Sequence, residues 1–324
     1  MRKVNVADLK DGDAVTIQLL VREKEIRTSA RTGKSWLELS LGDRTGTIPG
    51  KMWDNYEPIV KTFERDDVVQ VRARVKTYNN QKELTLEQIV PAAEREYDIA
   101  DFLPHTAHNV EEMYAQLRAS VAGMKNAWLQ KLLNAFLEDR ALAEKLKRAP
   151  AAMTMHHAYI GGLLEHIVSL AGLSRGVCAH YPELDADLIL AGIVLHDIGK
   201  VDELRYARAI DYSDEGRLLG HISIGLVMVR EKIRAIAGFP ERLATLVEHL
   251  ILSHHGSHEF GSPALPQFPE AVALHFLDDV DSKMASMRQT LGAAATGTDA
   301  EWSERNPALR RALLRTGEFL KVGK

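Results

Sequence analysis

The apolar pattern of this 324-residue chain changes period once, between Pro91 and Pro104, and that change restricts the fold more than any single motif. Before it, apolar and polar residues alternate in short runs over residues 14–22, 36–41, 47–53, 68–75 and 82–86. Alternation with period two puts one face of a strand in a core and the other in water, so these runs predict a half-exposed antiparallel sheet. Glycines within residues 31–34 and 42–46 stand at hairpin positions, and Tyr78-Asn79-Asn80-Gln81 reads as an asparagine turn. Short strands in this number suggest a small barrel.

After the change, apolar residues recur at helical spacing. Val110, Met113, Tyr114, Leu117 and Val121 follow Asn109, a helix-starting residue, and Trp128, Leu129, Leu132, Leu133, Phe136, Leu142 and Leu146 extend one longer amphipathic run over 126–149. The pattern divides the chain into a barrel domain over 1–92, a helical packing region over 93–150 and a helical domain over 151–324. Residues 292–299, rich in Ala, Thr and Gly, read as a loop before a short polar C-terminal helix.

Charge and cysteine usage narrow the chemistry. A net charge of −4 excludes a surface that coats polyanions generally, so nucleic acid would need a local basic groove. The single cysteine, Cys178, excludes an internal disulfide framework and a thiolate zinc cluster, and fits a reducing cytoplasm. The N-terminus is polar and no apolar run approaches membrane-spanning length, so a cytoplasmic protein without membrane contact is expected.

The run Leu39-Ser40-Leu41-Gly42-Asp43-Arg44-Thr45-Gly46-Thr47-Ile48 is similar to the L-x-D-x-T-G-x-I strand-turn-strand pattern of OB-fold nucleic-acid-binding modules. On such a barrel Arg31, Lys34, Trp36, Lys51, Trp53 and Tyr78, with Arg27 and Lys76, are candidates for binding single-stranded nucleic acid, since bases stack on aromatic faces and phosphates need cations. The alternative is that Trp36 and Trp53 fill the barrel core and the cations only solubilise it.

In the helical half, Ile193-Val194-Leu195-His196-Asp197-Ile198-Gly199-Lys200 ends an apolar run in groups that are costly to bury unpaired. His166 precedes it, and His221, His254-His255 and Asp278-Asp279-Val280-Asp281 follow on separate predicted helices. A lone histidine on an apolar face is usually a hydrogen-bonded core residue; a series of them points to a metal. Imidazole and carboxylate donors without thiolate suit Mn, Fe, Co, Ni or Zn.

The runs His157-x-x-x-Gly161-Gly162-Leu163-x-x-His166, Leu195-His196-Asp197-Ile198-Gly199-Lys200, Leu219-Gly220-His221-Ile222 and Leu252-Ser253-His254-His255-Gly256 resemble the HD superfamily of metal-dependent phosphohydrolases. Together with Glu259-Phe260-Gly261-Ser262-Pro263 and Ala273-Leu274-His275-x-x-Asp278-x-x-Asp281, they look like the YhaM-type 3′-to-5′ exoribonucleases, which also carry an N-terminal OB-fold. The resemblance implies a multidomain α and β protein, a five-stranded OB-fold barrel followed by an all-α HD domain. It implies that His166, His196, Asp197 and Asp278 hold one divalent ion, manganese first in order of expectation, and that Asp197 bridges to a second held by His221 and by His254, His255 or both. A carboxylate can bridge two cations whereas a neutral imidazole binds one. Asp281 would orient a ligand histidine.

The expected reaction is hydrolysis of single-stranded RNA, with single-stranded DNA as a second candidate substrate, by metal-activated water. Lys200 is the candidate phosphate contact, unless it pairs on the surface with Asp202 or Glu203, and His157, with His156 behind it, is the candidate proton donor to the leaving 3′-oxygen. Two other readings use the same residues. In one the substrate is a nucleotide or cyclic nucleotide, and in the other the chain is a non-catalytic nucleic-acid-binding regulator.

Overall fold

A computed structural model describes residues 4–29, 32–78, 81–153, 157–206, 210–292, 301–306 and 308–321. Arg31, His156, the Asn79-Asn80 turn and the predicted loop over 293–299 therefore lie outside the described residues. By contacts the chain divides into two compact units, Met1–His105 and Thr106–Tyr206 together with Ile210–Lys324.

The first unit is a closed barrel with strand order β1-β2-β3-β5-β4, built from β1 (Ala14–Thr28), β2 (Ser35–Asp43), β3 (Gly46–Met52), β4 (Val68–Tyr78) and β5 (Gln81–Pro91). All neighbours are antiparallel except β3 and β5, which close the barrel in parallel register at Gly50↔Leu84 and Lys51↔Thr85. β1 is long because it serves two partners. Ala14 to Leu20 pair with β4, a bulge intervenes between Val21 and Glu23, and Glu23 to Thr28 pair with β2. A bulge bends and twists the bulged strand, the deformation a barrel corner requires. Alternate residues Leu37, Leu39 and Leu41 face an aliphatic core with Leu19, Val69, Val71 and Leu84. The D-x-T-G motif has a local explanation. Asp43 accepts hydrogen bonds from Thr45 N (2.7 Å) and Thr45 Oγ1 (2.6 Å), closing the β2–β3 turn, and from Val6 N (2.7 Å).

The second unit is helical: α1 (Val110–Ala122), α2 (Ala127–Leu137), α3 (Arg140–Arg148), α4 (Gly162–His180), α5 (Ala186–Leu195), α6 (Lys200–Glu203), α7 (Asp214–Ala235), α8 (Glu241–Ser253), α9 (Pro269–Gly292) and α10 (Thr316–Phe319). A two-stranded pairing of Leu204–Arg205 with Asp211–Tyr212 separates α6 from α7. The amphipathic run expected over 126–149 is two helices. The side chain of Asp139 accepts from Leu142 N at 3.2 Å and starts α3 anew while the apolar spacing continues across the break. α5 is apolar on nearly every side and is buried at Leu188, Ile189, Ala191, Ile193, Val194 and Leu195, so it forms the centre around which α4, α8 and α9 pack. The C-terminal stretch is mostly irregular before α10, and Asn306 anchors it to α9 through Ser286 Oγ (2.9 Å) and Thr290 Oγ1 (2.7 Å). Among the described residues no helix is long and apolar enough to cross a membrane.

Candidate metal centre

Two buried helices, α5 and α8, end in the same device. His196 stands one residue past α5 and donates Nδ1–H to the carbonyl of Ile193 (2.9 Å); His254 stands one residue past α8 and donates to Ile251 (2.8 Å). The last carbonyls of a helix lack intrahelical donors, so an imidazole there satisfies one of them. Because a carbonyl only accepts, the bond places the proton on Nδ1 and leaves a lone pair on Nε2. Two further histidines are tied through Nδ1 to carboxylates, His166 to Asp281 (2.8 Å) and His221 to Glu203 (3.0 Å). A second-nitrogen bond of this kind is what fixes the ring of a metal-ligating histidine.

The Nε2 atoms so aimed converge on two aspartates. Asp278 Oδ1 lies 3.2 Å from His166 Nε2 and 4.0 Å from His196 Nε2. Asp197 faces two ways: Oδ2 is 3.5 Å from His196 Nε2, while Oδ1 is 3.4 Å from His221 Nε2 and 3.7 Å from His254 Nε2. Among the described residues the possible donor atoms form three compact groups, His166 with His196 and Asp197, His221 with His254 and His255, and His157 with His166 and Asp281, each within a 4.8 Å span. Nε2 of His196, His221 and His254, Nδ1 of His255 and Oδ1 of Asp197 are all buried without a hydrogen-bond partner. Burying a polar atom unsatisfied costs about 1–3 kcal/mol, so a concentration of such atoms in one place signals a ligand that supplies the missing interaction. The donor set fits a divalent cation.

Burial and neighbouring charges set the protonation of these groups, and His166 is the exception that must lose a proton to bind a cation. Burial lowers the pKa of His196, His254 and His255 and keeps their lone pairs free. Burial opposes ionisation of Asp197, yet Lys200 and the surrounding histidines hold its carboxyl well below the usual range; a hydrogen bond from His166 does the same for Asp278. For His166, burial pulls the pKa down, but hydrogen bonds to Asp278 and Asp281 prevail and raise it to about 9.

Gly220 breaks α7 immediately before His221, with φ 69° and ψ 157°. Side chains other than hydrogen are strongly disfavoured there, although the space around a Cβ at this position is open. Gly199 has the opposite reason to be glycine, since a Cβ would collide with the His221 carbonyl oxygen. Gly220→Ala is therefore expected to destabilise the chain by about 1–3 kcal/mol through backbone strain and to displace His221. Metal analysis and circular dichroism should show a full helical signal with fewer metal equivalents; full metal content in this variant would show that His221 does not depend on the break.

The other expected site residues are placed as follows. Lys200 is half-buried and bonds Asp197 Oδ2 at 2.6 Å, whereas Asp202 pairs with Lys145 (2.5 Å) and Glu203 with His221. Asp197 raises the Lys200 pKa against the effect of burial. His157 is buried with φ 51°; its Nδ1 is 2.8 Å from Tyr159 Oη and its Nε2 is 3.3 Å from Asp281 Oδ2. Asp281 also accepts from Ser169 Oγ at 2.5 Å. Asp279 pairs with Lys283 (2.6 Å) away from the cluster. Glu203, Tyr159 and Ser169 were not anticipated from the sequence. Glu203 read as half of a surface pair, and its role depends on α6 packing against α7.

On the barrel, Trp36 and Trp53 stack on each other with ring centroids 5.1 Å apart and planes inclined at 34°. Trp36 is half-buried and Trp53 is 42% exposed; neither belongs to the aliphatic core, which corrects the reading of these rings as core filling. Trp36 alternates with core residue Leu37 along β2 and so faces outward. Lys51 pairs with Glu83 (2.8 Å), and Lys34 with Asp54 (3.0 Å) in an exposed and therefore weak bridge. The side chain of Tyr78, like Arg31, lies outside the described residues. A 260 Å³ cleft beside β1 and β2 is lined by Glu23, Glu25, Arg27 and Glu38, a balance unsuited to phosphate. An apolar groove of about 910 Å³ between α4 and α9 is lined by residues such as Val177, Phe268, Phe276 and Val280; it lacks the chemistry of the His/Asp cluster.

Residues 163–283 match the HD domain family, a stretch that contains His166, His196, Asp197, His221, His254, His255, Asp278 and Asp281 but not His157. The helical unit carries an HD domain. Residues 15–92 match a family described as an OB-fold nucleic acid binding domain. The HD domain, its His/Asp cluster and the OB-fold together support a metal-dependent hydrolase of nucleic acid. Among solved structures, a chain of a replication protein A heterotrimer bound to single-stranded DNA is 21% identical with a TM-score of 0.20. The match covers 27% of this chain and 63% of that one, so it spans less than two thirds of its length.

Proposed function

We propose that this protein is a metal-dependent 3′-to-5′ exoribonuclease of the YhaM type, acting on single-stranded RNA. The observation that carries the hydrolytic part is the convergence of oriented imidazole nitrogens on Asp197 and Asp278, with buried donor atoms that lack any other partner. Polymer rather than nucleotide as substrate is supported by the OB-fold and by the outward Trp36–Trp53 pair, on which unstacked bases can lie. The 3′ direction rests on the motif resemblance.

In this reading His166, His196, Asp197 and Asp278 hold one cation, and His221, His254 and His255 hold a second that shares Asp197. Bound divalent cations would neutralise charge on the phosphoryl oxygens and lower the pKa of water. Lys200 holds Asp197 in its two-sided orientation, and its remaining N–H groups are free to meet a phosphate oxygen. Glu203 and Asp281 fix the rings of His221 and His166. Both nitrogens of His157 are engaged inside the protein, so we assign it, with Tyr159, to holding Asp281 rather than to proton donation.

The test is a 5′-labelled single-stranded RNA incubated with the Mn²⁺-loaded protein. Stepwise shortening from the 3′ end is expected. Turnover confined to small phosphodiesters would favour the nucleotide reading, and tight binding without turnover in any divalent metal would favour a regulator. Trp36→Ala with Trp53→Ala is expected to raise KM for RNA by about tenfold or more, since a stacked base contributes about 1–3 kcal/mol. Hydrolysis of bis(p-nitrophenyl) phosphate should be unchanged in the same variant.

A further inference from the structure

The sequence motif Glu259-Phe260-Gly261-Ser262 has no part in holding metal, yet the chain keeps it against the cluster. Phe260 ends the short 3₁₀ turn His258–Phe260, and its ring is 69% exposed. The turn is rigid. Phe260 N donates to Ser257 O (3.1 Å), Gly261 N to His258 O (3.0 Å) and Ser262 N to Ser257 O (3.1 Å), while His258 Nδ1 donates to Ser262 O (2.9 Å). Ser262 is itself buried and donates its hydroxyl to the carbonyl of Ala264 (2.7 Å). A methyl group placed on Gly261 would reach within 3.9 Å of His255 Nδ1, so the residue after Phe260 abuts the ring of a candidate ligand. His255 faces His221 with ring centroids 5.3 Å apart, and on the His221 side the residues before the Gly220 break are Leu218 and Leu219, 83% and 55% exposed.

Two segments thus converge on the His221–His255 pair, and each brings an exposed apolar side chain. Exposing a large apolar group on an ordered turn forgoes about 1.5–3 kcal/mol of burial, which is recovered when a flat apolar ligand covers it. The adjacent chemistry acts on a phosphodiester, whose nearest flat apolar group is a nucleobase. Resting on the functional reading above, we infer that Phe260 receives the base of the nucleotide next to the scissile phosphate. Phe260 is then a substrate-positioning residue: it sets where the phosphate rests and leaves the metal ligands alone.

The experiment compares two RNA substrates for the Mn²⁺-loaded protein, identical except that one has an abasic residue at its 3′ end. The native chain should prefer the base-bearing end by about 5-fold to 100-fold in KM, the range expected for one base–aromatic stack. Phe260→Ala should erase that preference by raising KM for the intact end, with metal content unchanged, and Phe260→Trp should restore it. A mononucleotide p-nitrophenyl ester compared with the RNA reports whether a free nucleotide's base uses the same position. Equal KM for abasic and intact ends in the native chain, or an intact preference in Phe260→Ala, overturns the inference while leaving the nuclease reading standing. Absence of hydrolysis of either RNA by the native chain overturns the nuclease reading and this inference with it.

Discussion

Asp197→Asn is expected to be the most damaging single substitution in the chain, for two separable reasons. Asp197 is the only carboxylate among the described residues that lies within 4 Å of ring nitrogens from both histidine groups, so its loss removes the shared donor. Since charge neutralisation by bound cations supplies several kcal/mol at the transition state, hydrolysis should fall by about a thousandfold or more. The second effect appears without any metal. The Lys200 side chain keeps only 13% exposure, with its ammonium 2.6 Å from the buried Asp197 Oδ2, and removing one partner of a largely buried pair costs up to about 3–5 kcal/mol because the other charge is left uncompensated. Chemical denaturation of the metal-free protein should therefore show Asp197→Asn strongly destabilised. The double variant with Lys200→Met should regain most of that loss, because both charges are then gone. An Asp197→Asn protein as stable as the native chain would show that the ion pair contributes nothing, and retention of the native metal content would remove Asp197 from the centre.

The second large effect is a pH dependence of the metal-free protein. His166 has a folded pKa of about 9 against about 6.5 for an unperturbed histidine. A group whose pKa is raised on folding stabilises fully below its unfolded value, and that contribution fades as pH rises through the folded value. Asp278 and Asp281 are shifted down, so their contribution is complete above about pH 4 and is lost on acidification. Metal-free stability should therefore be greatest between about pH 4 and 6.5 and decline toward pH 9 by an amount on the order of 3 kcal/mol. His166 is buried, so solvent screening does little to reduce the effect. The same proton must leave before Nε2 can bind a cation, so metal binding at pH 7.5 should release about one proton from this ring, and affinity should rise with pH up to about 9. Calorimetric titration in buffers of different ionisation enthalpy measures that release. Binding with no proton release would mean that His166 is already neutral or is not a ligand.

The barrel was legible because its determinants are local. Period-two alternation and the Asp43–Thr45 turn are contacts between near neighbours in the chain. The break between α2 and α3 was missed although its cause, the cap at Asp139, is equally local, because the apolar spacing runs on through it. Trp36 and Trp53 show the limit of residue type as a guide. A large ring suits a core or a stacking surface equally, and strand phase against Leu37 decides between them.

The His/Asp series was visible as a list of donors, and two of its tautomers follow from local rules, since His196 and His254 bond carbonyls three residues earlier at the ends of apolar helices. Partnership was not visible. Lys200 took Asp197 over its acidic neighbours, Glu203 became the tether of His221, and His157 met Asp281 across 124 residues of sequence. Sequence alone determined which side chains can bind a cation, since that is a property of the atoms and of the helix ends that carry them. Only the packing of α4, α8 and α9 around α5, and of α7 against α6 and α8, decided which lone pairs meet, because a hydrogen bond or a coordination shell is selected within a few tenths of an ångström, and spacing along the chain does not carry that information.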